Sequence, residues 1–248
     1  MRARLAVGVS AAGACVVALC LAAQPAAHFS ERLSAHPSER LSSQVSAAPP
    51  IDDLVASLQQ RYAAVRTLTA DFEHRVSGGV LSTTDVELGT VLVKRPGRWR
   101  FDYLEPEPKS FVSDGATVYA HFPLDRQVMV TPVPADAGAS NPAAFLAGRG
   151  NLVRDFAAAY GDARDAPPGT WVVRLTPLGD NADYEMLELA VDRRTLDIRR
   201  LATTDFLGAV STYRFDNLRT NRDLPDALFT FEIPPNTEVL TDEGPNHP

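Results

Sequence analysis

Ile51, Leu54, Val55, Leu58, Tyr62 and Val65 recur along the chain at spacings of three, four and seven, with Asp52, Asp53, Gln59, Gln60, Arg61 and Arg66 between them. An apolar stripe of that period predicts one amphipathic helix whose buried face lies on a sheet. From Leu68 the period changes to two, as Leu68, Ala70 and Phe72 alternate with Thr69, Asp71 and Glu73. Strand-like runs follow at 86–94, 98–103, 110–113, 117–122, 127–133, 171–176, 185–192, 196–204, 209–216 and 229–233, separated mostly by turn residues. Asp114-Gly115 predicts a two-residue hairpin turn of the primed type, and 192–195 a second tight turn. Strands that succeed one another in this way predict a mainly β, α+β fold: a large antiparallel sheet, curled or closed.

The succession is broken once. Ser140-Asn141-Pro142 followed by Ala143, Phe145 and Leu146 has the form of an N-cap, a first-turn proline and a short apolar helix, and 151–160 reads as a second helix. A loop and two short helices inserted into a meander are placed to cover one face of the sheet.

The N-terminus has a different pattern. Arg2 and Arg4 precede an uncharged run of small and apolar residues from 5 to 23, the layout of a secretory signal peptide. Gly8, Ser10, Gly13 and many alanines make that run a poor membrane span, so cleavage of residues 1–23 and export of the rest are expected. Both cysteines, Cys15 and Cys20, lie inside it. The exported chain then has no thiol, which excludes disulfides, cysteine nucleophiles and thiolate metal sites. Residues 24–50 repeat Ser-Glu-Arg-Leu at 30–33 and 38–41 and end in Ala-Ala-Pro-Pro, a flexible spacer. One domain is expected over 51–242, and a disordered tail over 243–248.

Charge narrows the function. Without the leader, 22 basic side chains face 31 acidic ones, a net charge of −9, which argues against nucleic acid. No HExxH, GxSxG, P-loop or GxGxxG occurs, and the domain has only His74 and His121 for a triad or metal centre. His121 reads as a structural histidine on a strand. The chain therefore reads as a binding protein with no enzyme activity, no cofactor and no metal. With no exposed apolar helix stripe, a monomer is expected.

The most unusual stretch is LVKRPGRWRFDY, residues 92–103. Past the turn residues Pro96-Gly97, Trp99, Phe101 and Tyr103 point to one face of a strand, and Arg98, Arg100 and Asp102 to the other. The arginines read as a solvated sheet face. The rings either line a cavity or fill a closed core, and so do Val112 and Val118 on the next hairpin. Arg95 stands before a proline at a strand edge, where its fixed donors can bond several loop carbonyls.

These segments carry a resemblance. LVKRPGRWRFDY, SDGATVY (113–119), TPL (176–178), DFLGAVSTYRFDN (205–217) and FTFEIPP (229–235) resemble the LolA family of periplasmic outer-membrane lipoprotein carriers. The resemblance implies an unclosed antiparallel β-barrel whose apolar, aromatic-lined cavity is capped by a helical lid containing Phe145 and Leu146. It implies non-covalent, lid-gated carriage of the acyl chains of lipoproteins. The implied partners are acylated lipoproteins, a LolCDE-type inner-membrane ABC transporter and a LolB-type outer-membrane receptor. Arg95 takes the place of the family arginine that latches the lid. Trp99, Phe101, Tyr103, Val112 and Val118 are the expected cavity residues. Glu73-His74 and Ala209 depart from the family's usual residues. Two alternatives share the fold: a carrier of another lipid or glycolipid, and an envelope sensor.

Overall fold

The computed structural model describes residues 47–78, 86–133, 146–148, 150–179 and 184–241. The chain divides at residues 45/46, and every described residue belongs to the second unit, 46–248. The expected leader, most of the spacer, the tail and the lid helix up to and including Phe145 lie outside the described residues.

Helix α1 spans Ile51–Ala63, with Asp52 and Asp53 in its first turn and Arg61 in its last, the arrangement that complements the helix dipole. It buries Leu54, Val55, Leu58 and Tyr62, the stripe read from the sequence. The Tyr62 hydroxyl accepts from the Ile198 N–H at 3.0 Å, and Arg61 pairs with Asp197 at 2.8 Å, so the last turn is fixed to the sheet.

Twelve strands follow: β1 Thr67–Gly78, β2 Val86–Lys94, β3 Arg98–Glu105, β4 Lys109–Ser113, β5 Thr117–Phe122, β6 Gln127–Pro132, β7 Phe156–Tyr160, β8 Thr170–Pro177, β9 Met186–Asp192, β10 Ile198–Thr204, β11 Ala209–Thr220 and β12 Glu238–Thr241. They form one sheet in the order β12-β6-β5-β4-β3-β2-β1-β11-β10-β9-β8-β7. Every neighbouring pair is antiparallel except β12 on β6, which is parallel. β7 and β12 are its two edges, so the sheet is not closed into a barrel.

The period-two alternation sets which side chains face α1. On that inner face Phe72 of β1 stands between Gly89 of β2 and Phe215 of β11, and Ala70 stands opposite Val91. Beyond β2 come Phe101 opposite Val91 and Trp99 opposite Val93. Together with the α1 stripe, Val173, Leu175, Leu187, Leu189, Ile198 and Leu201 they form one buried apolar cluster. The 3-10 helix Asp226–Phe229 and the segment after it cover the outer face instead. Phe229 is buried there, Phe231 stacks on Tyr119 at 5.4 Å, and Asp226 bridges Lys94 and Arg98. Arg100 pairs with Asp102 and also donates to the Leu228 carbonyl. The arginine face is therefore partly roofed rather than simply solvated.

Three further expectations about the elements needed correction. Residues 151–160 form a helix only over Leu152–Asp155 (α2), capped by the Asn151 side chain, before the chain turns into β7. Residues 229–233 are not a strand: their alternating apolar residues bury rings on the outer face of the sheet without joining its ladder. At the β4–β5 hairpin the central pair is Gly115-Ala116, with Gly115 at φ +100° and the Asp114 carboxylate accepting from the Ala116 and Thr117 N–H groups. The 192–195 turn forms as expected, with Asp192 accepting from Arg194 and Thr195.

Candidate functional site

Between the inner face of the sheet and the segment at 146–148 lies a cavity of about 320 Å³. Strand β3 contributes Trp99, Phe101 and Tyr103, β4 Phe111, β5 Val118, β10 Leu201 and Thr203, β11 Ser211, Tyr213 and Phe215, and Leu146 forms the opposing wall. Cross-strand register explains the grouping. Phe101 faces Phe111, Tyr213 faces Leu201 and Ser211 faces Thr203, so residues far apart in sequence form adjacent rows.

The aromatic rings around Phe72 and Phe101 pack tilted or edge to face beside and beneath it. Phe72 lies 4.9 Å from Tyr103 and 5.6 Å from Phe101, and Trp99 lies 5.8 Å from Phe101. Gly89 makes this possible, because a Cβ there would lie 2.2 Å from the Asp102 carbonyl oxygen and 2.5 Å from the Phe72 ring. Only glycine leaves room for the Phe72 ring at the centre of the sheet.

Of the residues expected to line a cavity, Trp99, Phe101, Tyr103 and Val118 do so, and Leu146 is buried against them. Val112 does not. It faces Arg100 in the β3–β4 register, on the outer side, and is 0% exposed there beneath the C-terminal segment. Its neighbour Phe111 takes the inner position. Tyr213, Phe215, Leu201, Thr203 and Ser211 were not foreseen; the alternation in STYRF marks an inner row at 211, 213 and 215, a signal that was available.

Arg95 leaves the end of β2 and spans two elements. Its Nε donates to the Leu146 carbonyl at 3.1 Å and its Nη1 to the carbonyl of Tyr62 in α1. The Gly97 N–H donates to the Ala147 carbonyl at 3.1 Å, and at Gly148 a Cβ would collide with the arginine stem. Burial pushes the Arg95 guanidinium below its usual pKa, though it stays charged at neutral pH.

A polar network stands behind one wall. The Tyr103 and Tyr213 hydroxyls lie 2.9 Å apart. The His74 ring stacks on Tyr213 at 4.2 Å; its Nδ1 lies 2.9 Å from Glu87 Oε2 and its Nε2 2.8 Å from the Ser211 hydroxyl. Lys109 donates to the other Glu87 oxygen and sits 4.5 Å over the Tyr103 ring. Burial lowers the His74 pKa against the opposing pull of Glu87, so the imidazole is neutral at neutral pH. For Glu87 burial acts upward, but bonds from Lys109 and His74 outweigh it and hold the carboxyl below its usual value. Burial raises both tyrosines, which stay protonated. A carboxylate has no proton to give, so Nδ1 must donate to Glu87, and Nε2 accepts the Ser211 proton.

Ser211, His74 and Glu87 thus follow the bonding order of a hydrolase triad. Two features set them apart from one. Ser211 lies within the β11 ladder, paired with Val76 and Thr203, rather than on a sharp turn that exposes a nucleophile. Glu87 shares its charge with Lys109, which weakens its support of an imidazolium. His121 is on the outer face against Phe231 at 5.3 Å, remote from the cavity. Among the described residues no group of three His, Cys, Asp or Glu side chains is placed to hold a metal ion.

A family model described as outer membrane lipoprotein carrier protein LolA matches residues 63–232. The outer-membrane lipoprotein carrier protein of Dechloromonas aromatica (strain RCB) is 31% identical over 175 residues, covering 71% of this chain and 81% of that relative. The protein of the same description from Chromohalobacter salexigens is 28% identical over 182 residues, covering 73% and 83%. Among solved structures, an uncharacterized conserved protein from Thermus thermophilus aligns with a TM-score of 0.48 at 13% identity, over 76% of this chain and 97% of that one.

Proposed function

This chain belongs to the LolA family of outer membrane lipoprotein carrier proteins, and from that premise we propose that it is a periplasmic carrier of acylated lipoproteins. It takes their acyl chains into the cavity over β3 and β11, from a LolCDE-type transporter at the inner membrane, and yields them to a LolB-type receptor at the outer membrane. The observation that carries this reading is the cavity itself: of eleven lining residues, Phe101, Phe111, Val118, Leu146, Leu201 and Phe215 are wholly apolar and Trp99 nearly so, and one of them, Leu146, belongs to a segment held by Arg95 and by the Gly97–Ala147 backbone bond.

Carriage is non-covalent. Each buried methylene is worth roughly 0.8 kcal/mol, so while one chain alone is held reversibly, a lipid with two or three chains is held too tightly for spontaneous release into water. An apolar site on a receptor offers the same gain, which leaves the transfer near balance. A lid bias of a few kcal/mol then sets its direction.

The cavity volume supports a gate as well. About 320 Å³ is at the small end of ligand sites, so a cargo with two or three chains requires the Leu146 wall to move. The Arg95 bond to the Leu146 carbonyl is the latch against that movement. Size-exclusion chromatography tests the reading: a triacylated lipopeptide is expected to co-elute with the protein, and its unacylated counterpart to elute alone. Equal behaviour of the two peptides would sink it.

A further inference from the structure

Four of the eleven cavity-lining residues carry a hydroxyl, and they are not scattered. Tyr103, Tyr213, Ser211 and Thr203 lie together on one wall, while the rest of the lining is apolar but for the indole N–H of Trp99. A cavity for hydrocarbon alone gains nothing from such a wall, because a hydroxyl pressed against a dry chain is destabilising unless it is bonded.

Counting protons shows what the wall offers. His74 Nδ1 gives its proton to Glu87, so it has no lone pair for Tyr103, 3.4 Å away. Ser211 gives its proton to His74 Nε2. The Tyr103 and Tyr213 hydroxyls share one bond and Tyr213 also bonds the Ser211 hydroxyl, so the donors open to a ligand oxygen are a phenolic proton that turns out of this chain and the Thr203 hydroxyl. Lys109, over the Tyr103 ring, draws electron density from the phenol and strengthens its hydroxyl as a donor. Because Lys109 and Glu87 cancel and His74 is neutral, the wall presents donors without net charge. A phosphate or carboxylate finds no counter-charge here; an uncharged carbonyl finds a donor.

We propose that the hydroxyl wall of Tyr103, Tyr213, Ser211 and Thr203 is a subsite for the ester or amide carbonyl at the head of an acyl chain, fixing how deep the chain enters. The inference rests on the carrier reading and adds to it a chemical preference: acyl chains over alkyl chains of equal length. His74, bonded to Ser211 and stacked on Tyr213, is a positioning residue that holds the two in register.

The test compares dioctanoylglycerol with the matching dioctyl diether of glycerol, which keeps the chains and removes both carbonyls. Each is used to displace a fluorescent naphthalene probe from the mature protein. The wild type is expected to prefer the diester by about fivefold to tenfold, the worth of one or two hydrogen bonds. Y103F/Y213F, which keeps both rings, is expected to hold the diether as before and to lose the preference to within about twofold. Equal affinity of the wild type for the two lipids overturns the subsite and leaves the carrier intact, and that comparison needs no variant. A preference that survives in Y103F/Y213F also overturns it. Displacement by neither lipid overturns the carrier reading itself.

Discussion

Replacing Arg95 by leucine removes the guanidinium bond to the Leu146 carbonyl and, among the described residues, keeps the Gly97–Ala147 backbone bond to this corner. A hydrogen bond from a charged donor is worth about 1.5–3 kcal/mol, which moves a closed lid toward the open form by roughly tenfold to hundredfold. On the proposed reading, cargo enters only the open form. The apparent dissociation constant is the intrinsic one divided by the open fraction, so it should fall by the same factor until the open form dominates. The assay is equilibrium titration of a triacylated lipopeptide onto wild type and R95L, with the thermal midpoint measured alongside because Arg95 also bonds the Tyr62 carbonyl. Tighter binding by R95L, with slower handover to an acceptor, is expected. Unchanged or weaker binding by a folded R95L would refute the latch, and with it the view that the lid competes with cargo.

Four other outcomes are expected. G89A places a methyl group against the Asp102 carbonyl and the Phe72 ring; overpacking of about 1–3 kcal/mol should lower the melting temperature by roughly 2–12 °C, read by circular dichroism. V112A should cost about 1.5–3 kcal/mol in urea unfolding yet leave lipid affinity unchanged, since Val112 is buried on the outer face. His74 has a folded pKa below the ordinary 6.5, so the unfolded chain binds the proton first; stability therefore falls as pH drops from 6.5 toward the lowered value, and H74Q should flatten that part of the urea-midpoint profile. The loss due to Glu87, also depressed, comes lower, below about 4.5. Dioctanoylglycerol should be recovered intact after long incubation; release of octanoate that disappears in S211A would show that the Ser211–His74–Glu87 chain is catalytic.

Much of the architecture was legible because period two and period 3.6 are imposed by burial on one face. The stripe from Ile51 to Val65, and Trp99, Phe101 and Tyr103 beside it, pointed inward as their spacing demanded. β4 misled because Phe111 and Val112 are both apolar: one faces the cavity and the other lies beneath the C-terminal segment, so no polar partner marked the register. FAAAY at 156–160 looked helical through its alanines, and pairing with β8 overrode that propensity. The network of Glu87, His74 and Tyr213 was beyond reach for a different reason. Its members form one row across β2, β1 and β11, brought together by a register that joins His74 to Tyr213 across the chain. Only the unusual histidine itself hinted at it.

The most direct test is native mass spectrometry of the full chain, expressed with residues 1–50 in place in a bacterium that has an outer membrane and purified without detergent, followed by lipid extraction. The account predicts bound triacylated lipoprotein, retained in larger amount by R95L. Protein that emerges empty, and that also fails to take up a triacylated lipopeptide when one is supplied, would contradict it.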